Sequence, residues 1–240
     1  MKEYNYAIVG NTWGKKIFSI LKQKKKNCVL VNLDYREISL NVYIDKLLSI
    51  IKEKKIDIIW LAIPPKNQFK ISRAILMADT NIIIEKPLIL KKKEKNDLHK
   101  LSIIKSKKIS IHFEYIFLNK LTNFDYNIDF NHIELIFNQS DDKKKLNSNL
   151  DLGSHLIAIK NIYFKNKSFK IKTAFSTNDN RMIVFKNDSR IVYVINFTKS
   201  KEQIIQKFVD YYENKVMKGV ENKLSIDFAY NVTNEINNLE

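Results

Sequence analysis

Cysteine occurs once in the 240 residues, at Cys28, which excludes a disulfide framework and a zinc site built on thiolates. The run Cys28-Val29-Leu30-Val31 around it reads as a buried strand rather than a nucleophile's surroundings. Arginine is scarce too: only Arg36, Arg73, Arg181 and Arg190 accompany a net charge of +16 that comes mostly from lysine. Runs such as Lys24-Lys25-Lys26, Lys91-Lys92-Lys93 and Lys143-Lys144-Lys145 read as solvated surface, whereas a nucleic-acid groove would gather arginine and aromatics on one face. No nucleic-acid partner is expected, and the charge is weak evidence for an anionic ligand. No apolar run approaches the roughly 20 residues that cross a bilayer, so no membrane partner is expected. A first strand starts within a few residues of Met1 with no signal peptide, which makes the cytoplasm the expected location. No metal site is expected. What is present is 45% hydrophobic residues, enough to bury one large core or two small ones.

Tyr4 to Val9 predicts a strand running into Gly10-Asn11-Thr12-Trp13-Gly14, after which Ile17, Phe18, Ile20 and Leu21 recur at helical spacing. Strand, glycine turn and helix in this order place turn amides and a helix amino terminus where they can hold a pyrophosphate. A full dinucleotide fingerprint carries three glycines, but here Thr12 stands near the second and the turn is shorter, so the stretch reads equally as an ordinary βα turn. The next strand, Cys28 to Leu33, ends at Asp34, 24 positions after Gly10 and close to where such a unit places the acid that binds ribose hydroxyls. That reading favours NAD. Arg36 could instead meet the 2′-phosphate of NADP, and Asp34 could simply cap a turn.

Val42, Ile44, Leu47, Leu48, Ile50 and Ile51 predict a helix, and Ile56 to Ile63 a strand stopped by Pro64-Pro65. A helix over roughly 67–79 leads to Ile82-Ile83-Ile84-Glu85-Lys86-Pro87-Leu88. Three branched residues in a row predict a strand buried on both faces, with an acid and a base at its carboxyl end, where open α/β sheets bind ligands. Proline keeps Lys86 out of the helical region, in a rigid turn that could be cis. Lys86 reads either as a donor to a substrate oxygen or as half of a solvated charge pair. A helix over 91–106 and a strand from Ile109 to Phe117 follow, with His112 reading as a hydrogen-bonded sheet histidine. Alternating strands and helices predict an α/β, doubly wound parallel sheet over residues 1–118.

Residues 119–240 predict a smaller α+β domain on a mainly antiparallel sheet. His132 to Phe137 is its first expected strand. Phe169 to Phe175, Met182 to Lys186 and Arg190 to Phe197 read as three antiparallel strands, and helices are expected over about 202–217 and 224–238. Between the first strand and these lies Asp151-Leu152-Gly153-Ser154-His155, running into an amphipathic helix. If that helix begins as early as 151, Asp151 and His155 share one face, and the acid can orient a ring that exchanges a proton with a hydroxyl. Equally, Asp151 could cap the helix while His155 covers its flank.

Taken in order, the Gly10 turn, Ala62-Ile63-Pro64-Pro65, Glu85-Lys86-Pro87-Leu88 and Asp151-Leu152-Gly153-Ser154-His155 resemble the Gfo/Idh/MocA family of nicotinamide-dependent oxidoreductases over most of the chain. The resemblance implies a Rossmann domain followed by a sheet domain with a substrate pocket and often an oligomer interface. It implies hydride transfer to or from a carbinol carbon of a sugar or nucleotide sugar and, by association, a place in surface-polysaccharide synthesis. Lys86 would contact nicotinamide ribose and substrate, Asp151 would hold the reacting hydroxyl, and His155 would be the general acid/base. Gly10, Asn11, Thr12, Trp13, Gly14, Asp34, Arg36, Ile63, Pro64, Glu85 and Lys86 would hold NAD or NADP. A homo-oligomer is expected. The alternative is a non-catalytic relative serving as cofactor sensor or partner subunit.

Overall fold

Short apolar runs form the strands of the first sheet, and each but the last is followed by a helix of the same unit. In the computed structural model, which describes residues 3–34, 36–125, 127–138, 153–165, 167–176, 181–197 and 201–237, the chain divides into two compact units. Met1–His112 and Val209–Tyr230 form the first, and Phe113–Phe208 and Asn231–Glu240 the second.

The first unit runs β1 (Tyr6–Val9), α1 (Trp13–Gln23), β2 (Cys28–Val31), α2 (Leu40–Glu53), β3 (Ile58–Leu61), α3 (Gln68–Met77), β4 (Asn81–Glu85), α4 (Lys92–Ile104) and β5 (Ile109–His112). All five strands are parallel, in the order β2-β1-β3-β4-β5. Every residue of β1, β3 and β5 is buried, as expected of a sheet with helices on both faces. Val9 pairs with Val31 and Leu61, Leu61 with Ile84, and Glu85 with His112, so the strands finish level along one carboxyl edge. Because the order reverses at β1, this edge contains a topological switch point between β1 and β3. The outer side of β5 is covered by later residues: Ile111 N–H donates to Leu224 O (2.8 Å), Ser110 Oγ to Asn222 Oδ1 (2.9 Å), and Asn222 Nδ2 to Ile109 O (2.7 Å). Near the start of β1, Tyr6 Oη donates to Glu213 Oε1 (2.7 Å), and Lys26 meets the same carboxylate at 2.6 Å.

The sequence predicts a strand continuing to Phe117, but β5 ends at His112, level with Glu85, its last partner. With no neighbour left to pair, the chain coils into a 3-10 turn over Glu114–Phe117, which opens the second unit.

The second unit contains α5 (Asn119–Thr122), β6 (His132–Asn138), α6 (Ser154–Tyr163), β7 (Lys170–Ser176), β8 (Met182–Asn187) and β9 (Arg190–Asn196). Two later helices, α7 (Lys201–Tyr211) and α8 (Ile226–Asn237), complete the described chain. The sheet order is β7-β6-β8-β9. β8 is antiparallel to both β6 and β9, whereas β7 pairs in parallel with β6, correcting the expectation of three antiparallel strands. The physical reason is α6, which lies between β6 and β7 in the chain and makes their link a crossover instead of a hairpin. Phe124, Phe130, Phe164 and Phe185 fill the core with mostly edge-to-face contacts, including Phe124 to Phe164 at 5.1 Å and Phe130 to Phe185 at 5.1 Å.

Candidate active site

The carboxyl edge of the parallel sheet collects most of the sequence-derived candidates. At the end of β1, Gly10 has φ +133°, and a Cβ there would lie 2.2 Å from Ala62 O. Ala62 N–H donates to Val9 O at 2.8 Å, so β1 and β3 are locked together at the point where Gly10 turns away. Only glycine fits. Four residues on, a Cβ on Gly14 would sit 3.3 Å from the Val9 carbonyl, so the start of α1 lies close against β1. Thr12 makes no side-chain cap to α1, and no acid occupies the first turn of the helix, whose positive end suits an anion.

Past the end of β2, Asp34 accepts from Arg36 N–H (2.9 Å), from Arg36 Nε (2.9 and 3.0 Å to its two oxygens), and from Asn11 Nδ2 (3.4 Å). The structure thus brings Asn11, Asp34 and Arg36 together. The Arg36 hydrogen bonds hold the Asp34 carboxyl down to about 2, from its ordinary 3.8. A folded-state value below the unfolded one means that the stabilisation is complete above 3.8 and is lost as pH falls toward 2, so Asp34 is anionic at every pH used for assay.

At the ends of β3 and β4, Ile63 is buried and Pro64 exposed. Gln68, the first residue of α3, donates from Nε2 to Ile63 O (3.1 Å) and Glu85 O (2.9 Å), tying the two strand ends. The Glu85 carboxylate points into the sheet: its Oε1 accepts from Trp60 Nε1 (2.9 Å) and lies 2.7 Å from His112 Nδ1. One side chain from each of three adjacent strands meets here, with Trp60 and His112 in an edge contact at 4.8 Å. The cluster fixes the residue before Lys86, which is half-buried and joined to Pro87 by a cis peptide. Gln68 and Trp60 were missed from the sequence. The available signal was a tryptophan, a glutamate and a histidine in otherwise apolar strands, because buried polar groups require partners.

In the second unit, His155 is the second residue of α6 and is 2% exposed. Its ring stacks on Tyr115 at 4.0 Å and 21°, and meets Phe113 edge-on at 6.5 Å. His155 Nε2 lies 3.9 Å from Oε1 of Glu114, itself 6% exposed. Tyr163, at the other end of α6, donates from its hydroxyl to Ile116 O at 2.5 Å. Asp151, the acid expected beside His155, lies outside the described residues. Glu114 and Tyr115 were missed, because the alternating run from Ile109 to Phe117 disguises the turn as strand.

Among the described residues, no group of three or more His, Cys, Asp or Glu could hold a metal ion. No helix there is long and apolar enough to cross a membrane. The carboxyl edge does fit a dinucleotide, with a glycine turn, a helix amino terminus with no acid in its first turn and an anionic acid beyond β2.

Residues 5–113 match a family described as an oxidoreductase family with an NAD-binding Rossmann fold. Over this stretch, just under half of the chain, it is similar to the Gfo/Idh/MocA family. The fold of the whole chain is similar to those of solved dehydrogenases at low identity. UDP-N-acetylglucosamine 3-dehydrogenase GnnA from Acidithiobacillus ferrooxidans matches with TM-score 0.74 and 11% identity, over 99% of this chain and 97% of that one. The WlbA (WbpB) dehydrogenase from Thermus thermophilus, solved with NAD and UDP-GlcNAcA, matches with TM-score 0.70 and 12% identity, over 98% and 94%. Scyllo-inositol dehydrogenase from Lactobacillus casei matches with TM-score 0.71 and 11% identity, over 98% and 94%. A search of curated proteins found no match.

Proposed function

We propose that the chain is an NAD(P)-dependent dehydrogenase or reductase acting on a carbinol carbon of a sugar or nucleotide sugar. The observation that carries this reading is the carboxyl edge of the parallel sheet, where the Gly10 turn, Asp34 and the Glu85-Lys86-Pro87 turn stand at the ends of β1, β2 and β4. Relatives of the same fold named for UDP-N-acetylglucosamine and inositol support the substrate class. The Gly10–Gly14 turn and the start of α1 hold the pyrophosphate, and Asp34 accepts from the adenosine ribose hydroxyls. Bound nicotinamide supplies the hydride acceptor or donor. Lys86 donates to the nicotinamide ribose and the substrate oxygen, while Asp151 holds the reacting hydroxyl. In the oxidative direction, His155 takes the hydroxyl proton as the carbinol carbon gives up its hydride, and in the reductive direction it returns that proton.

The test is a titration of the full chain with NADH and NADPH, following nicotinamide fluorescence and melting temperature together. Saturable binding is expected, with stabilisation of about 2.7 kcal/mol at a hundredfold excess over Kd. A folded protein that binds neither cofactor overturns the reading.

Arg36→Ala resolves the cofactor question. Arg36 now engages the carboxylate that would receive ribose hydroxyls, so its removal should tighten NADH binding a few-fold. The same change removes the donor for a 2′-phosphate, so NADPH should weaken by about tenfold or more. Because Asp34 is ionised throughout, neither affinity should slope with pH on its account between about 5 and 9. Equal shifts for the two cofactors would remove Arg36 from the site.

A further inference from the structure

We propose that Glu114 and Tyr115 are positioning residues for His155, Glu114 facing the edge of the imidazole and Tyr115 its face, so that the ring can carry a proton in surroundings that otherwise oppose one. The inference rests on the acid–base reading of His155. Two features of the ring's position disfavour its charged form. It is buried, which penalises an imidazolium, and it sits in the first turn of α6, where the positive end of the helix repels a cation. An acid–base group must hold a proton for part of each cycle, so something has to offset both effects.

Glu114 and Tyr115 supply that offset from the turn that follows β5. The Glu114 carboxylate lies 3.9 Å from Nε2, beyond a direct hydrogen bond but well within the range where an opposite charge favours the protonated ring. The π face of Tyr115 lies nearly parallel to the imidazole at 4.0 Å, an arrangement that attracts a cation and fixes the ring plane. Tyr115 is backed in turn by Phe197 at 4.7 Å. Facing His155 from the turn are thus Glu114 and Tyr115, with the uncharged ring of Phe113 at its edge. The turn and the helix are also joined at a second point, where Tyr163 Oη donates to Ile116 O. Since Tyr163 is the last residue of α6 and His155 the second, the helix is held to the same turn at both ends. Glu114 therefore stays beside a ring that has little freedom to swing away.

The experiment needs no substrate. The chain has four histidines, His99, His112, His132 and His155, and their ring signals can be followed by NMR against pH in the full chain, with His155→Gln assigning the signal. Glu114→Gln should lower the titration midpoint of His155 by about one pH unit or more, because it removes the charge and keeps the shape. Tyr115→Leu should lower it by a smaller amount and broaden the signal, while Tyr115→Phe, which retains the face, should leave it in place. Unmoved His99 and His132 signals report an intact fold, and Tyr115→Leu carries the test if Glu114→Gln does not fold. A His155 midpoint shifted by less than about 0.3 unit in both Glu114→Gln and Tyr115→Leu overturns the proposal. Once a substrate is in hand, the limb of the kcat–pH profile assigned to His155 should move with the NMR midpoint, with KM unchanged. Turnover surviving His155→Ala would instead sink the acid–base reading beneath it, whereas an unmoved midpoint sinks the positioning role alone.

Discussion

Gly10→Ala should lower the stability of the chain by about 3 kcal/mol or more and abolish cofactor binding. Two separate costs meet at this position. The backbone φ of +133° is strained for any side chain, worth about 1–3 kcal/mol. The new methyl would also lie 2.2 Å from Ala62 O, an overlap that can be relieved only by moving backbone. Ala62 cannot retreat cheaply, because its own N–H is bonded to Val9 O in the β1–β3 ladder. For a chain of this size, such a loss corresponds to a melting temperature roughly 6–12 °C lower. Gly14→Ala provides the contrast: its Cβ would meet the Val9 carbonyl at 3.3 Å, which a few tenths of an ångström of adjustment relieves, so a drop of about 1 kcal/mol or less is expected. Thermal melts of the two variants with and without NADH check both statements, and a Gly10→Ala protein that melts with the wild type would refute the first.

His155→Ala should reduce turnover by about 10²–10⁴-fold while leaving the NADH Kd within about twofold. The asymmetry follows from the proposed division of labour, in which the Gly10 turn and Asp34 of the first unit carry cofactor affinity and His155 carries proton transfer. The buried ring also contributes packing against Tyr115, so a modest fall in melting temperature is expected alongside. That fall is the reason to measure turnover well below the transition. Retention of full turnover by a folded His155→Ala protein would remove the general acid/base from His155.

How much of this was legible before the structure depended on how local the information was. The run Ile82-Ile83-Ile84 ahead of Glu85-Lys86-Pro87 states both a buried strand and its end within six residues, so β4 and the position of Lys86 can be read directly. The glycine turn and Asp34 are readable for the same reason, since alternation of strands and helices assigns every strand end to one edge. The link between Glu85 and its partners is different. Trp60 and His112 lie 25 and 27 residues away, on the two neighbouring strands, and their meeting depends on sheet order and register, which no local pattern specifies. Glu114 was hidden by its own neighbourhood, because apolar residues alternate through Phe117 although pairing stops at His112. The direction of β7 was hidden by topology: its residues alternate as any strand does, and only α6, intervening in the chain, sends it back parallel to β6.

The residues that cover β5 have a consequence for the order in which the protein can be completed. Ile111 bonds to Leu224 and Ser110 to Asn222, more than a hundred residues downstream. During synthesis, therefore, β1 to β5 emerge and can pair with one another while the outer edge of β5 still presents open backbone groups, and the whole second unit's first segment must be translated before the covering residues arrive. At bacterial-to-eukaryotic elongation rates of about 5–20 residues per second, that interval lasts on the order of 5–20 s. A nascent chain stalled short of Leu224 carries an unprotected strand edge, the kind of surface that chaperones shield and that drives neighbouring nascent chains to aggregate.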